Sequence, residues 1–268
     1  MKDTKQELND VNFLWTGGWD STFQLLQLLI INKQPVTPFY LIHAPRKSTG
    51  IEILTMNRIK NRLFKEYPFT VDLLKPTRFY SDIDLKPDSE ITKAYHSALK
   101  KIHVGVQYEW LARLCKEIGI SDMQLSVEKG PPNYVNWSIM VDPFMKESII
   151  NSRKTYELDA ENMDNDFYTI FKYFQFPIKN VTKIDMSDIT KNQGLYHFME
   201  MTWFCQDPRC NMKPCGKCIP CVQITEAGLG FRLPLRSRII SFFYRTFSLQ
   251  LKPWLKDKLI KTGLLSKK

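Results

Sequence analysis

Apolar and polar positions follow two rhythms along this chain. Residues 11–15 (VNFLW) and 36–43 are short apolar runs bounded by Gly or Pro, the mark of buried strands. Between them, Phe23, Leu25, Leu26, Leu28 and Leu29 repeat with helical spacing. Helical spacing recurs over 50–66, 91–101 and 106–118. Residues 70–74 read as a third strand, 76–88 as a Pro-containing loop, and 122–128 as a fourth strand ending at Lys129-Gly130-Pro131-Pro132. Residues 134–176 mix aromatics and acids without a clean period and are expected to be helical. Residues 177–186 (PIKNVTKIDM) read as a short strand or loop running into a helix near Asp185. Strands alternating with helices predict an α/β fold, a doubly wound parallel sheet whose ligand lies beyond the carboxyl ends of the strands.

Charge divides the chain unevenly. The formal net charge is +10, but from Arg232 onward ten basic residues face the single acid Asp257, a net +9. The body is therefore almost neutral, which argues against a general nucleic-acid-binding surface. The basic stretch interleaves apolar residues, among them Ile239, Phe242, Phe243, Trp254 and Leu255. That pattern suits a helix packed on its own domain or on a sister subunit, and also suits contact with a membrane surface, a nucleic acid or a partner protein. No apolar run reaches the roughly 18 residues of a membrane span. The start, MKDTKQELND, has no apolar h-region, so a cytoplasmic location is expected.

Five of the six cysteines fall between Cys205 and Cys221. Cys215, Cys218 and Cys221 form two overlapping C-x-x-C steps, CGKCIPC, whose backbone turns aim successive thiolates at one ion. The fourth ligand of a tetrahedral zinc site would be Cys205 or Cys210. Without a secretion signal, such clustering favours a structural metal over disulfides, with free thiols or an iron–sulfur cluster as rivals. Cys115 lies in a helical pattern and reads as a core residue.

The other chemistry-bearing stretch is Thr16-Gly17-Gly18-Trp19-Asp20-Ser21-Thr22. It joins the first strand to the first helix. Glycines there let a phosphate approach the backbone, and the helix start offers N–H groups to it. An ordinary turn, with Asp20 and Ser21 capping the helix, is the plainer alternative.

TGGWDST resembles the SGGxDS pyrophosphate loop of the N-type ATP pyrophosphatases, with Thr16 in place of Ser. Together with Thr202-Trp203-Phe204-Cys205 and the CGKCIPC run, and with Lys183 in a Thr-Lys-x-Asp segment, the chain resembles the 7-cyano-7-deazaguanine synthases within that PP-loop family. The resemblance spans about residues 11–221. It implies an adenine-nucleotide alpha-hydrolase-like domain over 1–200, a four-cysteine zinc element over 201–231 and a basic amphipathic helical tail over 232–268. It implies ATP, Mg²⁺ and Zn²⁺ as cofactors, and zinc ligation by Cys205, Cys215, Cys218 and Cys221. Thr16, Gly17, Gly18, Asp20, Ser21 and Thr22 would bind the nucleotide, with Asp20, Ser21 and Lys183 in catalysis. The implied substrates are a deazapurine carboxylate and ammonia, in a homodimeric ligase. Three segments depart from the family: Leu41-Ile42-His43-Ala44-Pro45-Arg46, Pro131-Pro132-Asn133-Tyr134 and Val222-Gln223-Ile224-Thr225. These shape the acceptor pocket, so another carboxylate, a tRNA base or a partner protein is the alternative acceptor, and a non-enzymatic zinc-stabilised adaptor is the other reading.

Overall fold

The structure is a computed structural model that describes residues 10–130, 141–150, 153–159 and 165–244. The chain divides into two compact units. One comprises Met1–Pro45 and Glu52–Trp203, the other Arg46–Ile51 and Phe204–Lys268.

The first unit is built on a five-stranded parallel sheet flanked by helices. Its strands are β1 (Val11–Leu14), β2 (Val36–Ile42), β3 (Arg78–Ser81), β4 (Met123–Gln124) and β7 (Phe174–Gln175), in the order β3-β2-β1-β4-β7. Chain order therefore reverses between β1 and β4, the place where open α/β sheets leave a crevice beyond their carboxyl ends. Register runs Val11 against Val36 through Leu14 against Phe39, and Phe13 against Gln124.

The helices follow the apolar spacing closely. They are α1 (Trp19–Leu26), which continues as a π-helical turn over Gln27–Ile31, α2 (Thr49–Glu66), α4 (Ser89–Lys101) and α5 (Gln107–Ile118). The Asp88 carboxylate starts α4 by accepting the Glu90 and Ile91 N–H groups. One core layer joins Ile91, Ala98, Leu111 and Cys115 of α4 and α5 to Phe39, Met123 and Phe174 of the sheet, and to Phe167 and Phe171 of α6 (Asn165–Phe171). Cys115 is a fully buried member of that layer, and burial pushes its thiol up to about 12.

Two expectations are corrected. Residues 70–74 are not the third strand: Thr70–Leu73 make one helical turn, α3. There the Thr70 N–H and hydroxyl both donate to the Tyr67 carbonyl, which closes the chain after Pro68 into a turn. Only Leu74 bridges Val36 in parallel. The third strand instead lies inside the expected loop, at Arg78–Ser81, paired with Phe39–Ile42. It is an edge strand whose residues are largely exposed or half-buried, so its hydrophobic signal is weak. The middle segment is not purely helical either. It holds an antiparallel hairpin, β5 (Met145–Ile150) with β6 (Arg153–Leu158), before α6. There the two-residue alternation is blurred because both strands carry charged residues on partly exposed faces.

Three glutamine amides tie the sheet to α1. Gln24 donates to Gln124 at 3.3 Å, and Gln124 donates to Gln175 at 3.4 Å, all three buried. After β7 come α7 (Lys183–Asn192) and α8 (Tyr196–Glu200).

In the second unit, α9 (Ile219–Glu226) follows the cysteine run, and α10 (Leu235–Phe243) follows a short 3₁₀ turn. The loop expected at 131–133, the first part of the middle segment and the basic tail beyond Tyr244 lie outside the described residues.

Candidate functional site

The strand–turn–helix at Thr16–Thr22 is held open by glycine. Gly17 has φ +67°, and a Cβ there would stand 3.2 Å from Met56 Cγ and 3.3 Å from the Glu52 carbonyl oxygen. The Gly17 carbonyl accepts the Trp203 N–H at 3.0 Å. Gly18, with extended backbone, is the N-cap of α1 and offers no side chain to cap it. The first turn of a helix leaves N–H groups with no intrahelical acceptor, which makes this end a suitable anion seat. Thr16 Oγ1 and Ser21 Oγ lie 3.3 Å apart, and the Thr16 N–H donates to Ser21 Oγ at 3.4 Å. Thr22 is different: it is fully buried, and its hydroxyl accepts the Trp15 indole N–H at 3.4 Å.

Asp20 lies in the first turn of α1. Its Oδ1 is 2.6 Å from Lys183 Nζ, and Lys183 Nζ is 2.7 Å from Glu128 Oε1. Lys183 is the first residue of α7, which begins in a capping box. Thr182 Oγ1 accepts the Asp185 N–H at 3.1 Å, and Asp185 accepts the Thr182 N–H at 2.9 Å. Glu128 follows β4, and the Lys129 N–H donates to the Val181 carbonyl at 3.0 Å, which ties the end of β4 to the turn before α7. Three segments thus deliver one ammonium and two carboxylates to the carboxyl edge, near the reversal between β1 and β4.

The electrostatics are strained by burial. The Lys183 side chain is only 14% exposed. Burial alone would lower its ammonium, yet Asp20 and Glu128 together hold it above its ordinary range. Burial and then the Asp20 charge push the Glu128 carboxyl up to about 7, against the pull of Lys183. The cluster carries one negative charge with both acids ionised and none when Glu128 is protonated. Sequence reasoning placed Asp20 and Lys183 but missed Glu128. The available signal was a lone acid at the end of an apolar strand that points toward the ligand edge.

A second polar pair stands on the same edge. His43, just past β2, pairs through Nδ1 with the Asp82 carboxylate, just past β3. The imidazole stacks on Trp110 with centroids 4.1 Å apart, and the Ala44 N–H donates to Asp82 at 3.4 Å. Burial would raise the Asp82 carboxyl, but His43 and the Ala44 N–H carry it below its usual range. Reading β3 as a loop hid this pair, because only a true third strand puts Asp82 beside the end of β2.

In the second unit, Cys205, Cys215, Cys218 and Cys221 bring their sulfurs within 4.8 Å of one another. Cys205 and Cys218 are 3.8 Å apart, and Cys215 and Cys221 3.9 Å. A tetrahedron with metal–sulfur bonds of about 2.3 Å has edges of about 3.8 Å. Backbone N–H groups point at the sulfurs: Cys215 to Cys205 at 3.2 Å, and Cys218 and Lys217 to Cys215 at 3.2 and 3.4 Å. Such donors stabilise thiolates, so the set fits a metal ion such as zinc. Cys210 is exposed and stands outside the four. Gly216, at φ +83°, makes the tight knuckle possible: a Cβ there would fall 2.3 Å from the Ser237 carbonyl oxygen. On a tetrahedral ion, four sulfurs would leave no open position.

Comparison with protein-family models and with curated proteins returns no significant match.

Proposed function

We propose that the chain is a PP-loop ATP pyrophosphatase that adenylates a carboxylate and then adds ammonia, with conversion of 7-carboxy-7-deazaguanine to the 7-cyano product as the leading reaction. The observation that carries this reading is the Asp20–Lys183–Glu128 cluster beside the Gly17-Gly18 turn, at the sheet's reversal point. A carboxylate oxygen of the acceptor attacks the α-phosphorus of ATP, and the bond to pyrophosphate breaks. The helix-start N–H groups and the Thr16 and Ser21 hydroxyls receive the departing diphosphate. Lys183 exchanges its two carboxylates for phosphate oxygens and neutralises the charge that develops there. Asp20 and Glu128, freed from Lys183, are hard oxygen donors suited to Mg²⁺, which when bound supplies charge neutralisation across the phosphates. Thr22, fully buried with its hydroxyl held by the Trp15 indole N–H, supports the loop from behind. Ammonia displaces AMP to give an amide, and a second adenylation dehydrates the amide to the nitrile. Cys205, Cys215, Cys218 and Cys221 would hold Zn²⁺ as a brace.

The test is direct. The full chain is incubated with ATP, Mg²⁺, ammonium and 7-carboxy-7-deazaguanine, and products are read by mass spectrometry. AMP, pyrophosphate and the nitrile are expected. AMP and pyrophosphate that form only with a different acceptor would keep the ATP chemistry and replace the substrate, an outcome that the altered 41–46 segment makes worth measuring. No AMP with any acceptor, and no nucleotide bound, would overturn the reading.

A further inference from the structure

Helix α10 is amphipathic in the reverse sense. Its buried positions are Ser237 and Ser241, one turn apart, whereas Leu235, Ile239 and Phe242 are 72%, 49% and 63% exposed. Spacing of four and three puts those three on one stripe. The serine side is committed inward. Ser237 Oγ donates to the Pro214 carbonyl at 2.6 Å, and the Ser237 carbonyl closes over Gly216 of the cysteine knuckle. Small residues allow that close approach, so the helix cannot turn its apolar stripe inward without lifting off the knuckle. Phe231, in the preceding turn, is also exposed at 56%. Phe231, Leu235, Ile239 and Phe242 thus display four large apolar side chains within twelve residues.

Charge identifies what covers them. Arg236 and Arg238 are exposed on the same helix, and no acid occurs between Glu226 and Asp257. A second copy of this chain would bring two strongly basic segments face to face. A nucleic acid would match the charge but not the apolar stripe. An anionic lipid surface matches both: acyl chains take Leu235, Ile239 and Phe242 while headgroups meet Arg236 and Arg238. No described helix is long and apolar enough to cross a membrane, so the contact is with the surface. We infer that α10 docks the protein on anionic membrane surfaces. This inference is independent of the ATP chemistry.

The experiment is flotation of the full, metal-loaded chain with vesicles of phosphatidylcholine alone or containing phosphatidylglycerol. Binding is expected to the anionic vesicles, to weaken with salt, and to fall roughly tenfold or more in Phe242→Ser or in Leu235→Ser with Ile239→Ser. Arg236→Gln should weaken it by roughly fivefold, about the share of one cation at a charged bilayer. These side chains are exposed, so zinc content and circular dichroism should match the parent and show that folding is intact. Equal binding by parent and stripe variants would overturn the inference. So would failure of the parent to float, whether the face turns out to be covered by residues 245–268 or by a dimer that the same substitutions dissolve, or the protein is instead retained by RNA.

Discussion

The two chemical centres pose opposite electrostatic problems. At the four cysteines, ligands of one kind crowd together and need a cation from outside. At Asp20, Lys183 and Glu128, the cation is built into the chain and two carboxylates already surround it. A metal ion held there would tie the first arrangement together. The second carries its own cation, and with both acids ionised it is left with one negative charge.

The largest effect should follow metal removal. Structural zinc contributes an apparent binding free energy of about 10–16 kcal/mol in small cysteine domains, so chelation or Cys218→Ser should melt the cysteine unit. Metal analysis and calorimetry check this. One zinc per chain is expected, and a metal-free chain with an unchanged melting profile would break the contrast.

Next comes the Asp20–Lys183–Glu128 cluster. Asp20→Ala and Lys183→Ala should each lower ATP–pyrophosphate exchange by about 10²–10³ or more while zinc content holds. Full activity in either variant would refute the assignment of the loop. Gly216→Ala should destabilise the cysteine unit by about 1–3 kcal/mol, because φ +83° and the Ser237 carbonyl both oppose a Cβ. Differential scanning calorimetry would detect the shift.

The subtlest effect is a pH dependence. Glu128 has a folded-state pKa of about 7 against an ordinary 4.5. Between those values the folded chain keeps a proton that the unfolded chain has lost, so this group's contribution to stability falls as pH rises through the window and is constant above it. Glu128→Gln should flatten urea-unfolding stability between pH about 4.5 and 7. An identical pH profile in parent and variant would contradict the raised value. Cys210→Ser should change neither zinc content nor melting.

Legibility followed sequence distance. The metal ligands lie within seventeen consecutive residues, and their spacing alone narrowed the fourth ligand to Cys205 or Cys210. The loop at Thr16–Thr22 was equally local. Glu128 was not, because its meaning depends on Lys183, 55 residues on, and on strand order. Asp82 was hidden by the weak pattern of an edge strand, since exposure on both faces erases the period on which strand recognition rests. The 145–158 hairpin was lost for the same reason. Helices with a full apolar face, α2, α4 and α5, were readable to within two residues at each end.

The glutamine ladder gives these distances their order. Gln24 stands one helical turn beyond Asp20, Gln124 four residues before Glu128, and Gln175 on the strand that precedes Lys183. Each amide leans on its neighbour, so replacing one by an apolar residue would orphan a buried group on the next. A change at one of the three therefore calls for a matching change at its neighbour. The glutamine ladder thus joins α1 to the two strands whose following segments lead to Glu128 and Lys183.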